Sequence, residues 1–109
     1  MLLAFDTIPE EIVPHMRDGE GEVHLRKFSD PLMKVMNGTL PVGATIGMHT
    51  HETNSEVIYI LSGRGKVLCD GVYEPLEPGS CHYCPKGHGH SLMNDGEEPL
   101  RFLAIVPEH

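Results

Sequence analysis

Turn-forming residues interrupt this chain at short, regular intervals, and that limits what it can build. Asp30-Pro31, Pro41-Val42-Gly43, Thr53-Asn54-Ser55, Gly63-Arg64-Gly65, Asp70-Gly71, Glu77-Pro78-Gly79, Pro85-Lys86-Gly87 and Asn94-Asp95-Gly96 follow one another from residue 30 to residue 96. With 12 glycines and 9 prolines spread over 109 residues, no stretch is left for a long uninterrupted helix. Between the turns lie short apolar-rich runs: VHLRKF (23–28), LMKVMNGTL (32–40), TIGMHTH (45–51), VIYILS (57–62), GKVLCD (65–70), VYEPL (72–76), SCHYC (80–84), HSLMN (90–94) and LRFLAIV (100–106). Strands of about five residues at this spacing predict an all-β sandwich or barrel. Residues 1–21, broken by Pro9 and Pro14 and running into DGEGE (18–22), read as an irregular or edge segment, and 22–109 as the barrel. No linker or internal repeat divides them, so one domain is expected.

Net charge excludes some partners. At −8 with histidine neutral, the chain is a poor match for a nucleic-acid backbone or an anionic membrane. The opening residues MLLAF precede Asp6 without a basic lead, so no secretory leader is expected, and no run approaches a membrane span. Three cysteines, an odd number, do not suggest a disulfide framework. The expected setting is cytoplasmic.

The chemistry concentrates in GMHTHETNSEVIYILSG, residues 47–63. His49 and His51 are two apart, which in a strand puts both imidazoles on one face. Glu56 is five beyond His51, but ETNS between them is strong turn chemistry, so Glu56 can open the next strand facing its partners, above an apolar wall of Ile58 and Ile60. Two imidazoles and a carboxylate suit a divalent transition metal: Mn, Fe, Ni, Zn, Co or Cu. A further donor can come from GSCHYCPKGHGHSLMN, where spacing ranks His90 first, His88 second and His82 third.

These residues carry a family resemblance. Gly43, His49, His51, Glu56 and Gly63 stand in the spacing G-x5-H-x-H-x4-E-x6-G, which resembles the first motif of the cupin superfamily. Gly79, Pro85, Gly87, His90 and Asn94 stand as G-x5-P-x-G-x2-H-x3-N, which resembles the second. Ten positions in register, each at roughly 5% background usage, are not coincidence. Fifteen residues separate the motifs, a length similar to that of compact single-domain microbial cupins. The resemblance implies a jelly-roll barrel (a double-stranded β-helix) with one divalent metal held by His49, His51, Glu56 and His90 at its mouth. It also implies a homodimer, for which VHLRKF and LMKVMNGTL read as strand edges apolar enough to pair with a second chain.

Four protein ligands around an ion that prefers six leave two positions open, and one carboxylate against a 2+ charge leaves the site at net +1. A small anionic or enolisable ligand fits, and the metal would act as a Lewis acid or activate water or dioxygen. Among the activities the resemblance permits, isomerase or lyase chemistry on a sugar- or uronate-like substrate is the leading expectation. A dioxygenase and a non-catalytic small-ligand binding or sensing module are the alternatives. His88 is the candidate proton-transfer group.

Several residues have plainer readings. In CHYC, a spacing of three along a strand sends Cys81 and Cys84 to opposite faces, so ordinary burial is expected, as for Cys69, rather than zinc or redox use. Met36, Met48 and Met93 read as core filling, Tyr59 as outward-facing, Asn94 as a turn residue, and His15, His24 and His109 as solvated. Gly43, Gly63, Gly79 and Gly87 read as turn positions of positive φ.

Overall fold

In the segment Glu22–Ser29 the apolar Val23 and Leu25 are buried while Glu22, His24 and Arg26 on the alternate positions are not, the period-2 pattern of a strand with one dry face. The same pattern recurs through a computed structural model that describes all of residues 1–109. Its ten strands are β1 (Glu11–Pro14), β2 (Glu22–Ser29), β3 (Met33–Leu40), β4 (Thr45–Thr50), β5 (Glu56–Ser62), β6 (Gly65–Cys69), β7 (Val72–Leu76), β8 (Cys81–Cys84), β9 (Gly89–Met93) and β10 (Leu100–Pro107). Single 3₁₀ turns occupy Phe5–Thr7 and Met16–Asp18. Every strand pair is antiparallel, in sheets of order β1-β2-β3-β10-β5-β8 and β4-β9-β6-β7. Together they form a jelly roll, as expected.

The nine apolar runs all become strands; the tenth, β1, lies in the segment 1–21 and pairs with β2. One expectation about edges is corrected. Both β2 and β3 are flanked on each side, β2 by β1 and β3, β3 by β2 and β10, so neither offers an open edge. The open edges are β1 and β8 in one sheet, β4 and β7 in the other. Sequence patterning identifies strands well but cannot show which distant strand fills a neighbouring place.

The inner faces meet in one core around Leu40, Ile60, Val67, Leu92, Leu100 and Phe102, all 2% exposed or less. The turns that close it use glycine where other residues cannot go: Gly63 sits at φ +82° with the Pro99 carbonyl so close that a Cβ would collide with it. Asn94, buried at the end of β9, donates from Nδ2 to Leu40 O (2.8 Å) and Glu98 O (2.9 Å) and accepts from Gly96 N (3.0 Å). It is the turn residue expected, tying the Asn-Asp-Gly turn to β3. Met36 packs in the core, but Met48 is 52% exposed on the outside of β4, against expectation. Cys69 and Cys84 are buried, while Cys81 is exposed. The strand parity of CHYC thus holds, and burial of both its thiols does not. No helix is long and apolar enough to cross a membrane.

Two local features aim side chains into the open end of the barrel. In the β4–β9 pairing, Ile46 lies opposite Leu92 and His49 opposite His90, so β4 carries one residue more than β9 across this stretch. That bulge lets Ile46 and His49, three apart, both point inward. Ser91 Oγ donates to Ile46 O (2.7 Å), satisfying a carbonyl beside the bulge. Across β4 lies the hook 15–21, held by Thr45 N to Glu20 O (2.9 Å) and Glu20 N to Thr45 Oγ1 (2.8 Å). Contact is so close that a Cβ on Gly47 would run into the Arg17 carbonyl. His15, Arg17 and Asp18 all take left-handed φ (49°, 55° and 64°), a conformation that costs ordinary residues about 1 kcal/mol or more each. The hook sets Arg17 at the rim of the open end.

Candidate metal centre

His49 and His51 come from the end of β4 and the residue after it, Glu56 opens β5 after the Glu52–Ser55 turn, and His90 lies in β9 directly opposite His49. One donor atom from each of the four lies within 4.8 Å of the others. His51 Nε2, His90 Nε2 and Glu56 Oε1 form a triangle with edges of 3.0, 2.8 and 3.1 Å. Cis donors around a six-coordinate ion with bonds of ~2.1 Å stand ~3.0 Å apart, whereas tetrahedral donors stand ~3.4 Å apart. The edges are those of the hydrogen bonds that join the three groups, and the triangle is small enough for one six-coordinate ion to touch all three donors.

The outer ring nitrogens bear out the same orientation. His49 Nδ1 donates to Gly47 O (2.8 Å) and His51 Nδ1 donates to Asn54 Oδ1. His90 Nδ1 meets His82 Nε2 at 2.9 Å. Each imidazole is thus held by Nδ1, leaving Nε2 for the centre, the arrangement that metal-binding histidines need. Burial pushes the Glu56 carboxyl upward, but hydrogen bonds from His51 and His90 outweigh it and hold the group at about 2. The hydrogen bond with Glu56 raises His51 above its ordinary 6.5, and burial lowers His49. In the absence of a cation, shared protons hold the cluster together. Donor set, spacing and orientation all fit a divalent transition ion.

The cluster forms one wall of a cavity of about 320 Å³, large enough for a small metabolite. Its floor is apolar, with Leu25, Met36, Ile58 and Phe102 among the lining residues. Its rim carries Arg17, Lys27 and Lys34, three of the eight Lys and Arg residues of an acidic chain. Lys27 and Lys34 share strand parity with the buried Leu25 and Met36, so their inward direction was legible in the sequence, although composition alone hides them. Arg17 had no such signal.

Other histidines fall elsewhere. His88 is turned to Asp70 (Nδ1 to Oδ2, 2.7 Å), half exposed, and does not line the cavity. Its placement lends no support to the proton-transfer role expected for it. His82 is buried behind His90 rather than beside the donors. Burial also lowers its pKa. His15 and His109 are exposed and His24 partly so; Tyr59 and Tyr83 face outward.

Comparison with known proteins agrees with this architecture. The family described as Cupin domain matches residues 36–106, more than half the chain. A Thermotoga maritima protein named oxalate-binding protein is 30% identical over 112 residues, covering 97% of this chain and 93% of that protein. The glucose-6-phosphate isomerase of Thermococcus onnurineus is 34% identical over 64 residues, which span 54% of this chain but only 34% of the isomerase. Among solved structures, a Thermotoga maritima protein described as a predicted oxalate decarboxylase superposes with a TM-score of 0.89 at 31% identity, covering all of both chains. The cupin domain of Schizosaccharomyces pombe Cnp3 gives 0.80 at 15% identity, covering 97% of this chain and 72% of that one, a likeness of fold alone.

Proposed function

This chain belongs to the cupin family, and from that premise we propose that it binds one divalent transition metal through His49, His51, Glu56 and His90 and acts on a small anionic metabolite. The observation that carries the reading is the gathering of Arg17, Lys27 and Lys34 around a cavity whose wall is the four-donor cluster. Such a rim in a chain of net charge −8 favours a carboxylate or enediolate whose charge exceeds what the ion alone neutralises. When bound, the ion would supply Lewis acidity to a coordinated oxygen. The protein's own part is to bind and orient: the basic side chains meet the outer oxygens, the apolar floor excludes water, and Glu56 stays ionised. Glu52 is the one lining carboxylate besides Glu56.

Isomerase or lyase chemistry on a sugar- or uronate-like acid is the leading form of this proposal; a dioxygenase would use the same open positions. A non-catalytic binding module is favoured by one specific point, the resemblance along nearly the whole chain to a protein named oxalate-binding protein. Calorimetric titration of metal-loaded protein with oxalate, glucuronate and a hexose phosphate, followed by product analysis, separates these readings. Lys34→Gln is expected to weaken the bound anion about tenfold, the loss of one charge-assisted hydrogen bond. Equal affinities in wild type and variant would remove the basic rim from the argument.

A homodimer and a cytoplasmic setting belong to the same proposal. Exposed Tyr59, Leu61 and Tyr83 lie in strands β5 and β8 of the larger sheet, and three free thiols suit a reducing compartment. Light scattering at micromolar concentration should give twice the chain mass; a monomer mass would reject the dimer.

A further inference from the structure

Behind His90 runs a hydrogen-bonded line of side chains that the four-donor motif does not include. His90 Nδ1 lies 2.9 Å from His82 Nε2, and His82 Nδ1 lies 2.8 Å from Glu74 Oε1. Both imidazoles are almost wholly buried, with side chains 2% exposed, while the Glu74 side chain is 48% exposed. The line also joins the sheets: Glu74 stands on β7, the edge of the smaller sheet, and His82 on β8, the edge of the larger.

The direction of its hydrogen bonds follows from chemistry. An ionised carboxylate only accepts, so His82 must donate to Glu74 from Nδ1. A neutral imidazole carrying its proton on Nδ1 has only a lone pair on Nε2, so His82 accepts there, and His90 must donate from its own Nδ1. With a cation at the centre, His90 then offers it the Nε2 lone pair, in place of the proton that Nε2 shares with Glu56 when no cation is bound. One carboxylate at the surface thereby sets the tautomer of two buried rings.

We propose that Glu74 and His82 are positioning residues for the metal centre: through two hydrogen bonds they hold His90 in the tautomer and orientation that make its Nε2 a metal donor. The inference rests on the metal-binding reading of the four-donor cluster. His49 and His51 are each held by a single acceptor close by in their own chain segment, Gly47 O and Asn54 Oδ1. His90 alone is held by a line of two side chains from other strands, His82 on β8 and Glu74 on β7.

Chelator competition for zinc, run on wild type, Glu74→Leu, Glu74→Gln and His82→Phe, tests this. Outer hydrogen-bond partners of metal-binding histidines are worth roughly ten- to hundredfold in affinity. Glu74→Leu and His82→Phe should each weaken zinc by that factor. Glu74→Gln, whose amide oxygen still accepts from His82, should stay within about threefold. Glu74 is half exposed, so its variants test the inference even if His82→Phe fails to fold, and metal-free Glu74→Leu should remain folded at the assay temperature. The visible spectrum of the cobalt-loaded protein should shift in Glu74→Leu and be restored in Glu74→Gln, which a merely structural role would not produce. Zinc affinity in Glu74→Leu within twofold of wild type overturns the inference and leaves the ligand assignment standing. Failure of wild type to bind zinc or cobalt overturns both.

Discussion

His51→Ala is expected to leave purification with less than a tenth of the metal carried by wild type, which should hold about one transition-metal ion per chain. Four-donor structural sites bind with about 10–16 kcal/mol, so one lost donor costs several kcal/mol, or more than a hundredfold in affinity. His51 is a suitable donor to remove because its Nε2 meets both Glu56 and His90, while its backbone bonds to the turn carrying His88 are kept in alanine. The fold should survive, since the side chain lies at the cavity wall rather than in the apolar core. His88→Ala is the matched control: its ring faces Asp70, and metal content should not change. Elemental analysis reads both. Full metal in His51→Ala would mean that the ligand set is wrong.

Acid should erase the stabilisation that metal confers. A metal bound only by the folded chain raises stability by mass action, and protons compete for the same imidazoles as the pH falls below their ordinary value of about 6.5. The metal-free protein behaves differently. His51 is raised by its bond to Glu56, so its contribution is present in full below pH ~6.5 and is lost as the pH rises through the raised value. Glu56, held at about 2, contributes above its ordinary value of 4.5 and loses that contribution only as the pH falls towards 2. Between those limits a protonated His51 and an ionised Glu56 stabilise the metal-free fold, where the metal-loaded one is losing its ion. Melting temperatures of the two forms should therefore be furthest apart above neutral pH and should converge between roughly pH 6 and pH 4.5. In His49→Ala the gap should be small throughout. Parallel curves across this range would show that the bound ion is not held by these histidines.

Much of this was legible because turn chemistry is local. Pro-Val-Gly, Asp-Gly and Pro-Lys-Gly mark strand ends wherever they occur, and the parity of His49 with His51 needs only the strand that holds them. The turn Glu52–Ser55 resets parity so that Glu56 faces the cluster, as the residue types indicate. What escaped depends on distant partners. The bulge between Ile46 and His49 exists only against β9, and the places of β2 and β3 inside the larger sheet are set by β1 and β10. Arg17 reaches the rim through three left-handed residues that few sequences would suggest. Spacing offers His82 as a donor, since it shows that a histidine lies nearby but not whether it stands beside a neighbour or behind it. Lys27 and Lys34 are the instructive case: they continue the buried stripes of β2 and β3, and parity alone puts them on the cavity side, at its exposed rim.

Whether three imidazoles and one carboxylate hold the ion can be read by X-ray absorption at the edge of the metal in the purified, metal-loaded protein. The expected spectrum has nitrogen and oxygen neighbours at ~2.1 Å, the outer-shell scattering of about three imidazole rings, and no sulfur. Cys69 and Cys84 are buried in strands paired with those carrying His90 and Glu56, so sulfur is the natural competitor. A sulfur shell at ~2.3 Å, or a spectrum without imidazole scattering, would contradict that ligand set.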